Sequence, residues 1–127
     1  MGLLDGVMGN ASRVDSETVA HEYSRLLSEG EQVHAAYQLV RDVIILTSNR
    51  LMYVNKQGIS GKKVDYQSVP YRSISMFSVE TAGPFDLDAE LNTWVSGRQN
   101  PLSFKFSKKG ADVYEVQALL AAFVATR

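Results

Sequence analysis

The spacing of apolar residues predicts helices at the two ends of the chain and strands between them. Near the N-terminus, four apolar residues fall on one face of a short helix: Leu3, Leu4, Val7 and Met8. Because glycines interrupt this helix, we expect it to need a surface to fold against. A longer helix is predicted to follow and to end at Gly30. Its candidate N-terminal caps are Ser12, Asp15 and Ser16.

From Gln32 onward, apolar and polar residues alternate with the period of a β-strand. Seven strands are predicted, at residues 33–40, 43–47, 51–54, 63–67, 74–81, 87–95 and 102–107. The second is apolar throughout, so we expect both of its faces to be buried. After Gly110, Asp112 is expected to cap a final amphipathic helix. The apolar stripe of this helix consists of Val113, Val116, Leu120 and Phe123.

Seven short antiparallel strands followed by one amphipathic helix predict a mainly β fold with added helices. The strands should form two orthogonal sheets or a partly open barrel, closed by the C-terminal helix. A chain of 127 residues has the size of one domain. We expect that domain over residues 31–127, preceded by an N-terminal helical extension over residues 1–30.

Five stretches of the sequence carry a family resemblance. They are Thr47–Leu51, Gly58–Val64, Val69–Ile74, Phe77–Gly83 and Phe85–Leu91. In this order they resemble the bacterial pleckstrin-homology (PH) domain family, and the likeness extends from Leu3 to the last helix. The resemblance implies a PH-like fold and a non-catalytic module without a cofactor. It also implies similarity to proteins that assemble into ring-shaped homo-oligomers.

The turn between the first two predicted strands departs from one well-known PH-domain pattern. Eukaryotic PH domains that bind phosphoinositides gather several Lys and Arg residues around this turn, because clustered cations hold vicinal phosphates. Here the turn is Arg41-Asp42, one cation beside one carboxylate. The sequence therefore argues against phosphoinositide binding.

Composition and charge narrow the classes of partner. Thirteen basic and fourteen acidic residues give a formal net charge of −1, so no overall field favours nucleic acid or anionic lipid. The absence of cysteine removes disulfides, thiolate metal sites and cysteine nucleophiles. No apolar run reaches the roughly 18 residues of a membrane-spanning helix, and the N-terminus lacks a signal-peptide pattern. We therefore expect a cytoplasmic protein.

The strand predicted at residues 87–95 gathers acidic groups on one face. Asp86, Asp88 and Glu90 alternate with apolar residues, and Trp94 shares their side. Three interpretations are open: an acidic surface for solvent or subunit contact, a cation site, or a catalytic pair. The glycine and distal glutamate of an EF-hand are absent, as is a second carboxylate across a cleft. We favour the acidic surface, with Trp94 either covered by the N-terminal helix or used in an interface.

Three lysines surround the glycine-rich turn after the third strand: Lys56, Lys62 and Lys63. They suit contact with a phosphate or an anionic membrane, or a solvated turn. A more specific hypothesis is that Lys62 and Lys63 meet the acidic strand of a neighbouring subunit. A second basic group lies near the last strand and consists of Lys105, Lys108 and Lys109.

No catalytic constellation is evident in the sequence. His21 and His34 are isolated and lack the spacing of metal ligands, and no Gly-x-Ser-x-Gly elbow is present. The predicted function is therefore a PH-like module for homo-oligomeric assembly, with an unidentified protein partner as a further option. Leu3 and Leu4 would then dock on their own domain, on a neighbouring subunit or on a membrane surface. The alternative is a peripheral module that binds anionic lipid or phosphate.

Overall fold

The computed structural model describes residues 12–39, 41–57, 62–81, 88–107 and 113–125. The strands are β1 (Ser12–Val14), β2 (Val33–Gln38), β3 (Val43–Thr47), β4 (Arg50–Gln57), β5 (Lys63–Pro70), β6 (Ile74–Thr81), β7 (Asp88–Val95) and β8 (Leu102–Ser107). The helices are α1 (Ser16–Glu22) and α2 (Val113–Ala125), with 3-10 turns at Ser24–Leu26 and Tyr71–Ser73.

The strands form two antiparallel sheets, which confirms the predicted architecture. The larger sheet has the order β1-β2-β3-β4-β5 and the smaller one the order β6-β7-β8. The sheets do not close into a barrel. All seven predicted strands are present, and β1 is an eighth that was not predicted, because three residues are too few to show a period.

The predicted second helix is wrong in its C-terminal half, since α1 ends at Glu22. A 3-10 turn over Ser24–Leu26 follows it. Beyond the turn, Glu31 accepts a local hydrogen bond from the Ser28 amide, and the distant Arg50 donates to the Leu26 carbonyl. Asp15 is the N-terminal cap and accepts hydrogen bonds from the Thr18 amide and hydroxyl, each at 2.9 Å. Ser12, another candidate cap, lies in β1 instead.

The main core lies between the two sheets and under α2. Its fully buried side chains include Tyr37, Ile44, Leu46, Leu51, Leu91, Phe106, Val116 and Leu120. A second cluster lies between the larger sheet and α1 and includes Val19, Tyr23, Ile45, Met52 and Val54. Because β3 lies between the two clusters, all five of its residues are buried, as predicted.

The alternation in β7 also follows the prediction, since Ala89, Leu91 and Thr93 are buried on the core side. In α2, the predicted stripe packs inward and Phe123 stacks on Tyr71 with ring centroids 5.0 Å apart. No helix of the described residues is long and apolar enough to cross a membrane.

Several predicted features lie outside the described residues: Leu3, Leu4, Val7, Met8, Asp86, Lys108, Lys109 and Asp112. The boundary between an N-terminal extension and the domain at residue 31 stays a prediction. Within the described residues, α1 packs on the larger sheet through Val19.

Candidate functional site

The outer face is the side of β6–β8 turned away from the core, and it carries acidic groups at one end. There, Glu90 on β7 pairs with Glu80 on β6 and with Lys105 on β8. Towards the other end of the sheet, Trp94 pairs with Met76, whose side chain is 51% exposed. The outer face therefore runs from a charged end to an apolar end.

Asn92 joins the three strands at the centre of the outer face. Its Nδ2 donates a hydrogen bond to Glu80 Oε1 at 2.9 Å, and its Oδ1 accepts one from Ser103 Oγ at 2.6 Å. Asn92 is buried, and a buried amide is stable only when it is hydrogen-bonded. These bonds hold the Glu80 carboxylate in a defined position beside Glu90.

The structure places two of the predicted surface residues, Glu90 and Trp94, on the outer face of β7. Asp88 is the first residue of the same strand, but its side chain lies outside the described residues, as does the whole of Asp86. The face that the alternation predicted is therefore present, and part of its acidic end is described.

Glu80 is a carboxylate of the outer face that sequence reasoning missed. It lies four residues beyond Met76 on β6, so strand alternation places both on the same side. That alternation was available in the sequence. What was missing was the register that sets Glu80 directly opposite Glu90.

The structure does not bring the three predicted anion-contact lysines together. In the β4–β5 hairpin, Lys56 pairs with Val64 and Gln57 pairs with Lys63, so Lys56 and Lys63 lie on opposite faces. Lys62 and Lys63 are exposed at the end of the hairpin where β4 connects to β5. Lys56 therefore points away from Lys63, because adjacent strand positions alternate between faces, and a shared role in anion contact stays a prediction.

A groove of about 340 Å³ lies where the ends of the two sheets meet. Its lining residues are Leu39, Arg41, Asp42, Tyr53, Lys56, Ser103, Phe104 and Lys105. Three of them are cations that come from separate parts of the chain: the turn after β2, strand β4 and strand β8. Sequence reasoning had left these cations in separate groups, because only the packing of β8 near the turn unites them.

The carboxylate of the groove is engaged by neighbouring donors. Asp42 Oδ2 accepts a hydrogen bond from the Tyr53 hydroxyl at 2.7 Å, and Oδ1 accepts one from the Lys56 amide at 2.9 Å. Burial raises the pKa of Tyr53, and the hydrogen bond to Asp42 raises it further. Tyr53 therefore remains a protonated donor, and Asp42 is held by the protein itself.

Glu31 and Arg50 form an ion pair that was not predicted. Both residues line a second cavity, of about 410 Å³. The Glu31 side chain is 0% exposed and that of Arg50 is 22% exposed. Arg50 Nε donates to Glu31 Oε2 and Nη2 to Oε1, each at 2.9 Å. Arg50 Nη1 also donates to Ser68 Oγ at 2.8 Å. Such bidentate pairs are among the stronger hydrogen-bonded contacts.

Thr47 completes this network at the turn between β3 and β4. Its hydroxyl donates to Glu31 Oε2 at 2.5 Å and accepts from the amides of Asn49 and Arg50, each at 3.0 Å. Its carbonyl accepts from the Tyr71 hydroxyl at 2.6 Å. Because its donors and acceptors meet inside the chain, we interpret the network as structural.

These contacts determine the pKa of Glu31. Burial raises the pKa of this carboxyl, but hydrogen bonds from Arg50, Thr47 and Ser28, together with the Arg50 charge, outweigh it. The pKa of Glu31 falls to about 2. Glu31 is therefore ionised at neutral pH and stabilises the folded state there.

The two histidines are on separate elements. His21 is exposed on α1, while the ring of His34 on β2 lies 5.1 Å from that of Phe123. Within the described ranges, no group of three or more His, Asp or Glu residues could hold a metal ion.

Comparison with known proteins gives consistent matches over most of the chain. The model of a family described as "Bacterial PH domain" matches residues 2–124. The Bacillus subtilis (strain 168) protein YjqA is 53% identical over 122 residues, which cover 96% of this chain and 98% of YjqA.

Two solved structures from Shewanella are similar in sequence and in fold. A DUF1696 family protein with a PH domain from Shewanella loihica PV-4 is 45% identical, with a TM-score of 0.83 over 91% of this chain and 98% of that one. The PH domain from Shewanella amazonensis SB2B is 47% identical, with a TM-score of 0.77 over 97% of this chain and 98% of that one.

Proposed function

Because the chain belongs to the bacterial PH-domain family, we propose that it is a non-enzymatic module that assembles into a homo-oligomer, in the form of a closed ring. The observation that carries this proposal is the apolar end of the outer face. There the single tryptophan of the chain, Trp94, lies opposite Met76, which is 51% exposed. Tryptophan is enriched among the residues that dominate interface energies, and methionine adapts to varied partner surfaces.

Assembly predicts a mass in solution that is a multiple of 14.1 kDa. Light scattering coupled to size-exclusion chromatography, run over a wide concentration range, measures it directly. A strictly monomeric protein throughout that range would contradict the proposal.

The substitution Met76→Glu should weaken the assembly, because it places a carboxylate where an apolar side chain would be buried. Full burial of such a side chain contributes roughly 1.5–3 kcal/mol, so association should weaken about ten- to hundredfold. The matched control is Tyr114→Glu, which introduces the same charge at a residue of α2 that is 62% exposed. Equal loss of mass in both variants would show that the outer face is not the contact.

A specific observation favours a second function, the binding of an anionic lipid or phosphate. Arg41, Lys56 and Lys105 line the groove, and its carboxylate, Asp42, already accepts hydrogen bonds from Tyr53 and the Lys56 amide. Among the described lining residues, the groove therefore presents three cations beside one carboxylate that the protein already binds. An arginine among them suits the oxygens of a phosphate group.

If this second function holds, Arg41→Glu should reduce binding to vesicles that contain anionic lipid. Each cation near such a surface contributes about 1 kcal/mol, so charge reversal should lower the affinity roughly thirtyfold at low salt. Arg25→Glu makes the same change at an exposed arginine of the 3-10 turn Ser24–Leu26, away from the residues that line the groove, and serves as the control. Cosedimentation across a salt series is the measurement. An equal loss in both variants would point to general surface charge.

A further inference from the structure

We propose that the charged end of the outer face binds the Lys62–Lys63 end of the β4–β5 hairpin of a second copy of this chain. This inference rests on the proposed homo-oligomer and names the contact that would form it. The two surfaces belong to different sheets of one chain: Lys63 begins β5 in the larger sheet, whereas the outer face belongs to β6–β8.

Neither Glu80 nor Glu90 forms an ion pair within the described residues, although Lys105 lies opposite Glu90 on β8. Glu80 and Glu90 face each other across two antiparallel strands, and like charges in directly opposed positions destabilise a sheet. Among the described residues, the ion pairs are Arg13–Glu115 and Arg50–Glu31, so neither glutamate has a cation within 4.0 Å. A pair of cations placed over them would remove this repulsion.

The chain itself carries a pair of cations that matches these carboxylates. Lys62 and Lys63 are consecutive and exposed, and neither belongs to an ion pair of the described residues. Two ammonium groups thus match two carboxylates in number and sign. Because the formal net charge of the chain is only −1, copies do not repel one another strongly as they approach.

The charged and apolar ends of the outer face are close enough for one neighbouring subunit to contact both. Met76 and Glu80 are four residues apart on β6, which is roughly 13 Å along a strand. A neighbouring subunit can therefore cover the exposed Met76 side chain while its lysines reach the glutamates. Such an arrangement combines an apolar anchor with a charged rim, as protein interfaces commonly do.

The geometry of the contact also has a consequence for symmetry. The outer face and the hairpin end are different patches, so each subunit would use one patch towards one neighbour and the other patch towards the next. A head-to-tail contact of this kind generates a ring when the rotation closes. It therefore agrees with the closed assembly proposed above.

The test uses charge reversal and its compensation in the full chain. Lys62→Glu/Lys63→Glu places negative charge against the acidic end, and Glu80→Lys/Glu90→Lys places positive charge against the lysines. Each double variant should weaken association at least tenfold at low salt, and less at high salt. The quadruple variant, which carries all four substitutions, should regain the mass of the wild-type assembly, because the two signs are exchanged together.

Light scattering at a series of concentrations measures the mass, and urea unfolding checks that each variant is folded. Should the lysine substitutions on the sheet prevent folding, Glu80→Gln/Glu90→Gln removes the charges and should still weaken association. A monomeric wild type overturns the assembly itself. An oligomeric wild type whose mass survives both reversals overturns only this contact, and so does a quadruple variant that fails to reassemble.

Discussion

The substitution Arg50→Ala lowers the free energy of unfolding by about 3–5 kcal/mol, the largest effect on stability that we expect from any single change discussed. The reason is the environment of its partner, since the Glu31 side chain is 0% exposed. Without Arg50, a buried carboxylate keeps its charge and loses its cation. The Ser68 hydroxyl and the Leu26 carbonyl also lose a hydrogen-bond donor.

Arg13→Ala provides the matched control for this prediction. Arg13 pairs with Glu115 at 3.4 Å, but the two side chains are 46% and 40% exposed. An exposed pair of this kind contributes less than about 1 kcal/mol. Urea unfolding at one fixed protein concentration measures both variants. Similar losses for Arg13→Ala and Arg50→Ala would refute the special role of the buried pair.

The second large effect is a loss of stability in acid that is traceable to Glu31. The pKa of Glu31 is lowered from 4.5 to about 2 in the folded protein. A depressed pKa stabilises the folded state above the unfolded value, and this contribution is lost as the pH falls from about 4.5 towards about 2. The shift corresponds to roughly 3 kcal/mol over that window.

Unfolding free energies measured between pH 7 and pH 2.5 test this dependence. In Arg50→Ala the cation and its hydrogen bonds are absent, so the pKa of Glu31 is lowered less, and the stability curves of variant and wild type should converge in acid. Asp15→Asn is a useful comparison, because hydrogen bonds from Thr18 lower the pKa of that exposed carboxyl as well. A wild-type curve that is flat below pH 4.5 would contradict the prediction.

The sequence predicted best those elements in which apolar and polar residues alternate regularly over several positions. Strand β7 was predictable because Ala89, Leu91 and Thr93 alternate with polar residues over its length, and all three are buried. β1 was not predictable, because its three residues owe their strand conformation to pairing with β2. Likewise, α1 ends at Glu22, and beyond it the Leu26 carbonyl accepts a hydrogen bond from the distant Arg50, which the local pattern does not indicate.

The candidate surfaces also differ in whether the local sequence pattern could predict them. Alternation within β7 sufficed to place Glu90 and Trp94 together, since strand geometry fixes that relation locally. The groove, by contrast, depends on β8 lying close to the turn after β2, and the buried pair joins residues nineteen positions apart. Nothing in the local pattern around Glu31 distinguishes it from a solvated glutamate. Contacts between elements are set by packing, which a single sequence does not display.

The hydrogen bonds of Thr47 affect where the folded chain opens locally. Tight turns are ordinarily among the first places where a protein opens locally. Here, the side chain of Thr47 binds two amides of the turn, while its carbonyl accepts a hydrogen bond from Tyr71, which directly follows the edge strand β5. Opening this turn would therefore disrupt several segments at once. Local opening should begin instead at β1, where three residue pairs of the described part of the chain join the strand to its neighbour.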